Sequence, residues 1–386
     1  MEVKQIFTLI NSVSSEVLGK TDIVKEDLTG VVDLGTEVFN QGAVDNYVKS
    51  LVNHIGKVVF VNRPYSGKIP SVLMDAWEFG SVLEKVSADI PNAEENDTWN
   101  LVDGNEYKQD VFHKPTVSAK FFNSKVTFEV PVSITERQIK ESFSSAAQLN
   151  GFLSMIYNAV EKSMTIKTDA LIMRTIANMV GETLEADSPT FNGDYTTHST
   201  VRCVNLLYLF NQATGGSLTA QDCLTNGDFI RFASYQMGLY ADRMQSISTL
   251  FNVGGKERFT PKDVLHTVLL SDFEKAAQTY LYADTYHKEQ VLLPNAETVA
   301  SWQGSGLDYS FEHTSAINIK TASKKDVSVT GVLGVMFDRD ALGVCNTDKR
   351  VTTNYNAKAE FFNNYYKFDA AYFNDTNENF VVFFVA

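Results

Sequence analysis

The stretch Leu149 to Val180, LNGFLSMIYNAVEKSMTIKTDALIMRTIANMV, decides how the rest of the chain is read. Its residues Leu149, Phe152, Leu153, Ile156, Val160, Ser163, Ile166, Ala170, Met173, Ala177 and Val180 recur every three or four positions, the period of one helix face. The pattern holds for more than 30 residues with no proline inside it, and Gly181 follows as a natural stop. At about 1.5 Å per residue such a helix is roughly 50 Å long, well beyond the usual three or four turns. No heptad array or internal repeat accompanies it, so it reads as a spine and not as a coiled coil.

Upstream of the spine the chain changes character several times. Met1 to about Asn40 mixes short amphipathic pieces with turn formers, as an extended arm would. Val44, Tyr47, Leu51 and Ile55 predict a short helix, followed by a strand at Lys57–Val61. From Ser66 to Val132 short strand-like runs alternate with polar stretches such as Asn92-Ala93-Glu94-Glu95-Asn96-Asp97, a poor basis for a self-standing core. Val117–Phe122 and the alternating Val126–Val130, joined across Asn123-Ser124, predict a β-hairpin arm. Thr135-Glu136-Arg137-Gln138 has the form of a capping box opening a helix over about 138–143.

Downstream, Glu182 to about Thr200 is polar and loop-like. A helix is expected over Phe229–Met244, a buried strand over Val264–Leu270, and a second capping box, Ser271-Asp272-Phe273-Glu274, opening a helix through Leu281. This region reads as an α/β sub-domain inserted after the spine. The chain then returns to strands at Val327–Phe337, Lys358–Tyr372 and Phe380–Val385, the last too apolar for an exposed edge.

Composition narrows the function classes. With 386 residues, 44% hydrophobic and 21% charged, the chain is an ordered protein large enough for two or three sub-domains. No run approaches the roughly 18 to 20 apolar residues of a membrane span, and Met1–Gln5 lacks the basic start of a signal peptide, so synthesis in the cytosol is expected. The net charge of −14, with scattered basic residues, argues against specific nucleic-acid recognition. Cys203, Cys223 and Cys345 lack metal or redox spacing and read as isolated thiols. The 26 Phe and 16 Tyr exceed what is usual beside 3 Trp, and aromatics serve subunit contacts as well as cores.

Signatures of catalysis are missing or broken. Gly254-Gly255-Lys256-Glu257 lacks the first glycine and the Ser/Thr of a phosphate-binding loop and reads as a turn, as does Gly304-Ser305-Gly306. His54, His113, His198, His266, His287 and His313 are dispersed without metal-ligand spacing. Asp338-Arg339-Asp340 and Glu94-Glu95 are adjacent carboxylates, which point to opposite sides of a strand. Asn96-Asp97-Thr98 and Asn374-Asp375-Thr376 match a glycosylation sequon by chance in a chain without a secretory signal. No catalytic, cofactor or metal residues are assigned.

The order of segments, an arm, a hairpin, a long spine, an inserted sub-domain and a returning sheet, resembles the Hong Kong-97 fold of tailed-bacteriophage major capsid proteins. Asp338-Arg339-Asp340-Ala341-Leu342-Gly343-Val344 and the aromatic run Asn354–Asp369 look like the end of major head proteins of small short-tailed phages, as Tyr47–Val59 looks like their helix-to-strand lead-in. The turn Asn356-Ala357-Lys358-Ala359 stands where those proteins carry an Asn-Pro-x-Gly-like turn, without its proline or glycine. The resemblance implies an α+β capsid fold with an N-arm and lead-in to the P-domain (1–57), an E-loop (58–134), a P-domain with the spine (135–182), an A-domain (183–330) and P-domain return strands (331–386). It implies a shell of pentamers and hexamers around double-stranded DNA, with scaffolding protein and portal as partners, no membrane and no cofactor. Trp77, Phe79, Trp99 and Phe112, on the E-loop, would cover a neighbouring subunit or pack within their own. Nothing local marks a lysine and asparagine for the covalent cross-link of some members, so none is expected. An encapsulin-like compartment and a cytosolic enzyme with an unrecognised site are the rival readings; the enzyme would carry a polar pocket on a small oligomer.

Overall fold

The computed structural model describes residues 3–19, 34, 46, 69, 72–74, 83–88, 90–91, 93, 95, 102–104, 112–135, 146–191, 194–282, 296–303, 308–359 and 361–386. Its helices are α1 (Val3–Leu18), α2 (Ala146–Phe191), α3 (Leu206–Thr214), α4 (Gly227–Arg243), α5 (Ser271–Tyr282) and α6 (Phe311–Thr314). Its strands are β1 (Leu83–Ala88), β2 (Val117–Phe122), β3 (Lys125–Thr135), β4 (Cys203–Asn205), β5 (Leu265–Leu270), β6 (Ala296–Val299), β7 (Ile317–Lys320), β8 (Asp326–Val329), β9 (Val332–Asp338), β10 (Leu342–Asn356), β11 (Phe361–Asn374) and β12 (Phe380–Phe384). Two compact units result. One comprises Met1–Glu78, Lys125–Ile172 and Val344–Ala371, the other Phe79–Ser124, Met173–Gly343 and Tyr372–Ala386.

The spine is present and longer than predicted, since α2 runs unbroken for 46 residues. The expected stop at Gly181 and the loop expected from Glu182 are corrected by this. A Cβ on Gly181 would lie 2.6 Å from Ile319 Cγ2 of β7, so the glycine admits a neighbouring strand and does not end the helix. The buried face overlaps the apolar stripe read above at Val160, Ala177 and Val180 but departs from it elsewhere. Ile166 is 65% exposed, whereas Met164, Thr168, Leu171, Thr175, Met179, Thr183 and Asp187 are buried. Threonine fits a buried helix face because its hydroxyl can bond back one turn, as Thr183 Oγ1 does to the Met179 carbonyl at 2.8 Å. Gly181→Val is expected to lower the unfolding free energy by about 2 kcal/mol through overpacking against Ile319, measurable by denaturant titration.

In the first unit, β3, β11 and β10 form a sheet in the order β10-β11-β3, with β11 antiparallel to β3. Strict alternation explains its two faces. Phe362, Asn364, Tyr366, Phe368 and Ala370 of β11 are buried, and their partners across the ladder are Ile134, Val132, Val130, Phe128 and Val126. The opposite face is polar, with Thr127 Oγ1 donating to Asp369 at 2.6 Å and Lys367 paired with Glu129 at 3.3 Å. The same unit holds α1, a 16-residue helix with Ile10, Val13 and Ser14 buried, where an extended arm was expected. The predicted helix at 44–55, strand at 57–61 and helix at 138–143 lie outside the described residues; Thr135, the expected cap, ends β3.

The second unit is organised on a five-stranded sheet ordered β4-β12-β9-β5-β6. β12 is parallel to β4 and antiparallel to β9, and β5 pairs antiparallel with β9 and parallel with β6. β9 and β12 are buried at every residue, which is why they read as continuous apolar runs. Val381, Phe383, Leu333 and Met336 pack with Phe210 of α3, Phe229, Met237 and Tyr240 of α4 and Phe273 of α5. Within the segment 331–386, expected to return as P-domain strands, β9 and β12 complete the sheet of β4, β5 and β6. Ser271 opens α5, but its hydroxyl donates to the Val299 carbonyl at 3.0 Å and does not cap its own helix. The end of α2 is tied to β4 where Asp187 accepts from Arg202 Nε at 3.1 Å, from Arg202 Nη2 and from Thr200 Oγ1.

Candidate subunit-contact surface

β1 and β2 form a separate two-stranded antiparallel ribbon, with Leu83 opposite Phe122 and Ala88 opposite Val117. The hairpin predicted between Val117–Phe122 and Val126–Val130 is therefore corrected. Both segments are strands, but β2 pairs with β1 while β3 pairs with β11. Asn123-Ser124 carries the chain from one sheet to the other, where Ser124 accepts from the Tyr372 amide at 3.1 Å.

The ribbon's polarity is inverted. Glu84, Val86, Ala88, Val117, Ala119 and Phe121 occupy its exposed face, with Val86 61%, Val117 58% and Phe121 63% exposed. The more buried face carries Leu83, Lys85, Ser87, Ser118, Lys120 and Phe122. A sheet with one wet face normally puts its charges there and its apolar residues inside. Here the lysines turn inward and the large apolar side chains face outward.

Carboxylates on the turn between β11 and β12 make that inversion possible. Lys85 Nζ lies 3.0 Å from Asp375 Oδ2 and 2.8 Å from Glu378 Oε1, and donates to the Asp340 carbonyl at 3.1 Å. Lys120 Nζ lies 2.9 Å from Asp375 Oδ1. Burial works to raise the Asp375 pKa, but Lys120, Lys85 and the Asn377 amide hold it below the usual carboxylate range. Burial likewise opposes the Lys85 charge, yet Glu378 and Asp375 raise its pKa above the ordinary value. The same turn anchors residues 248–258, since Arg258 Nε lies 3.3 Å from Glu378 Oε1 and the Gly254 amide donates to the Thr376 carbonyl at 2.8 Å. It also caps β9, where the Asp338 amide donates to the Asn379 carbonyl at 3.0 Å.

Of the four aromatics singled out from the sequence, Trp77, Phe79 and Trp99 lie outside the described residues, and Phe112 is 86% exposed. The residues that sequence reasoning missed are Val86, Val117 and Phe121 outside and Lys85, Lys120, Asp375 and Glu378 inside. The strand reading of Val117–Phe122 and the alternation in Leu83–Ala88 were local signals, but neither says which face is wet. Asn374-Asp375-Thr376, read as a chance sequon, is the turn that holds the ribbon.

Other chemistry-bearing residues have structural surroundings. Asp338 is buried, which raises its pKa, and accepts from Thr260 Oγ1 at 2.7 Å. His266 lies beside Phe337, with ring centroids 6.0 Å apart and the rings tilted, and burial together with Arg339 lowers its pKa. The three cysteines are free and buried, with burial pushing the Cys223 thiol up to about 12. Gly255 takes the positive φ of a turn. Among the described residues no cluster of His, Cys, Asp or Glu could hold a metal ion, and no helix is long and apolar enough to cross a membrane.

A 46-residue helix and a ribbon that turns apolar side chains outward are features of a chain built to meet other protein surfaces. Comparison with solved structures agrees on the fold. A chain from "Structure of head fiber and inner core protein gp22 of native bacteriophage P68" has a TM-score of 0.50 at 7% identity, over 85% of this chain and 86% of that one. A chain from "Capsid structure of Staphylococcus phage Andhra" gives 0.49 at 9% identity, over 84% and 86%. One from "Capsid of native GTA particle computed with C5 symmetry" gives 0.45 at 10%, over 84% and 92%. No curated protein matches the sequence. The family model described as Phi29-like phage major capsid protein matches residues 9–384, and the chain belongs to that family. It is a tailed-phage major capsid protein of the α+β Hong Kong-97-like fold, a component of the virion that assembles into the capsid shell.

Proposed function

We propose that the chain builds an icosahedral head around double-stranded DNA from pentamers and hexamers, and that the β1–β2 ribbon is the arm by which each copy holds the next. The single observation that carries the arm assignment is the inverted ribbon, whose Val86, Val117 and Phe121 are left more than half exposed. A shell subunit meets several neighbours, so a weak apolar contact repeated on every copy gives collective stability.

In this reading the E-loop, 58–134, is centred on the ribbon. The N-arm with the P-domain lead-in is 1–57, the P-domain with its spine 135–182, the A-domain 183–330 and the return segment 331–386, of which β9 and β12 serve the A-domain sheet. By sequence, Trp77, Phe79, Trp99 and Phe112 fall within the E-loop segment and are further candidate subunit contacts. Scaffolding protein and portal are partners, DNA is enclosed without sequence-specific contact, and the net charge of −14 keeps the surface from adhering to it. The subunit is made in the host cytoplasm, carries no catalytic activity and touches no membrane. The aromatic run 354–369 supports kinship with small short-tailed phages.

Negative-stain microscopy of the expressed chain tests this reading. Closed shells with five- and six-fold clusters are expected, and small soluble oligomers under all assembly conditions would overturn it.

A further inference from the structure

The inner face of the ribbon converges on one carboxylate. Lys85 and Lys120 are direct cross-strand partners, and like charges placed so repel each other. Asp375 sits against both, 3.0 Å from one ammonium and 2.9 Å from the other. Its side chain is 3% exposed, so the pairing is little screened by solvent. The remaining charged groups of the cluster are Glu378, on Lys85 and Arg258, with Asp338 and Asp340 beside them. Lys85, Lys120 and Arg258 thus bring three positive charges to two paired carboxylates, Asp375 and Glu378. Neutralising Asp375 would leave three cations on one.

The ribbon itself is small. Two strands of six residues are marginal in water without support. The support in view is this cluster and the Phe122–Phe373 ring contact at 5.2 Å.

Building on the arm assignment, we propose that Asp375 is an electrostatic latch on the arm. Ionised, it holds both strands of the ribbon with the apolar face outward. Neutral, it lets Lys85 and Lys120 repel, and the ribbon comes away from its support and loses its ladder. The arm is therefore switched by charge on the ribbon's inner face, opposite its outward apolar residues. The sign follows from the depressed Asp375 carboxyl: the latch is complete above the ordinary Asp value of about 4 and is lost as pH falls through the lower folded value.

Hydrogen exchange on the full-length, unassembled subunit tests the latch. In Asp375→Asn, amides of 83–88 and 117–122 are expected to exchange about tenfold faster or more, while β5 and β9 keep their protection. Adding Lys85→Met and Lys120→Met removes the repulsion and should return at least half of the lost protection. Wild-type protection of the ribbon in Asp375→Asn overturns the proposal, and so does a triple variant that exchanges as fast as the single one. Should Asp375→Asn fail to fold, the wild-type chain is acidified stepwise with exchange corrected for intrinsic rates. The latch requires ribbon protection to vanish at a higher pH than that of β5 and β9, and coincident loss overturns it. Shell formation is scored separately by microscopy: a released ribbon with normal shells refutes the arm assignment and leaves the latch standing.

Discussion

Phe121→Lys is expected to abolish shell formation while the subunit stays folded. Phe121 is 63% exposed, so its replacement removes little packing and should change subunit stability by no more than about 0.5 kcal/mol. It stands opposite Glu84, so the lysine gains a cross-strand ion pair and the ribbon is not weakened. In the assembled shell the same position loses the burial of a phenyl ring, about 2 to 3 kcal/mol, and must desolvate an ammonium group. Each contact then weakens on the order of 100-fold, and every copy carries the defect. Sedimentation should find subunits where the wild type gives particles, with an unchanged circular dichroism melt. Particles at wild-type yield would show that Phe121 faces no neighbour.

The second large effect is expected at Gly331, in the turn between β8 and β9. Its φ is +78°, a conformation that β-branched residues avoid at a cost of about 1 to 3 kcal/mol. A Cβ there would lie 2.0 Å from the Val385 carbonyl oxygen, backbone that cannot swing aside as a side chain can. The Val385 amide in turn donates to the Gly331 carbonyl at 2.9 Å, so relief of the clash pulls on the end of β12, an interior strand of the five-stranded sheet. Gly331→Val should therefore lose about 4 kcal/mol or more and melt roughly 10 °C lower. A calorimetric Tm within about 2 °C of wild type would show that the turn has another conformation open to it.

What the sequence disclosed depended on how far each signal was local. The spine, the helix at 227–243 and the apolar strands at 265–270 and 380–384 carry their own period or their own unbroken apolarity, and each was legible. Gly181 misled because a glycine admitting Ile319 and a glycine ending a helix look alike until the distant strand is known. β10 was missed because Asn346, Asp348, Lys349 and Arg350 give a half-exposed strand the composition of a loop. The α3 helix was missed because its nine residues span too few turns for a period, although Asn205 and Gly215 cap it. At the contact surface, the aromatic content drew attention to Trp77, Phe79, Trp99 and Phe112, which are large. The inverted ribbon depends on Lys85 and Lys120 meeting Asp375, residues 255 apart in the case of Lys120, and no local pattern encodes that meeting.

That separation also sets an order of events during synthesis. Strands β1 and β2 leave the ribosome long before the turn that steadies them, 255 residues ahead for Lys120 and Asp375 and 293 for Lys85 and Glu378. At about 5 to 20 residues per second the wait is on the order of tens of seconds, during which a two-stranded ribbon has little stability of its own. On the arm assignment proposed above, a half-made chain would offer a growing head this ribbon without the carboxylates that steady it.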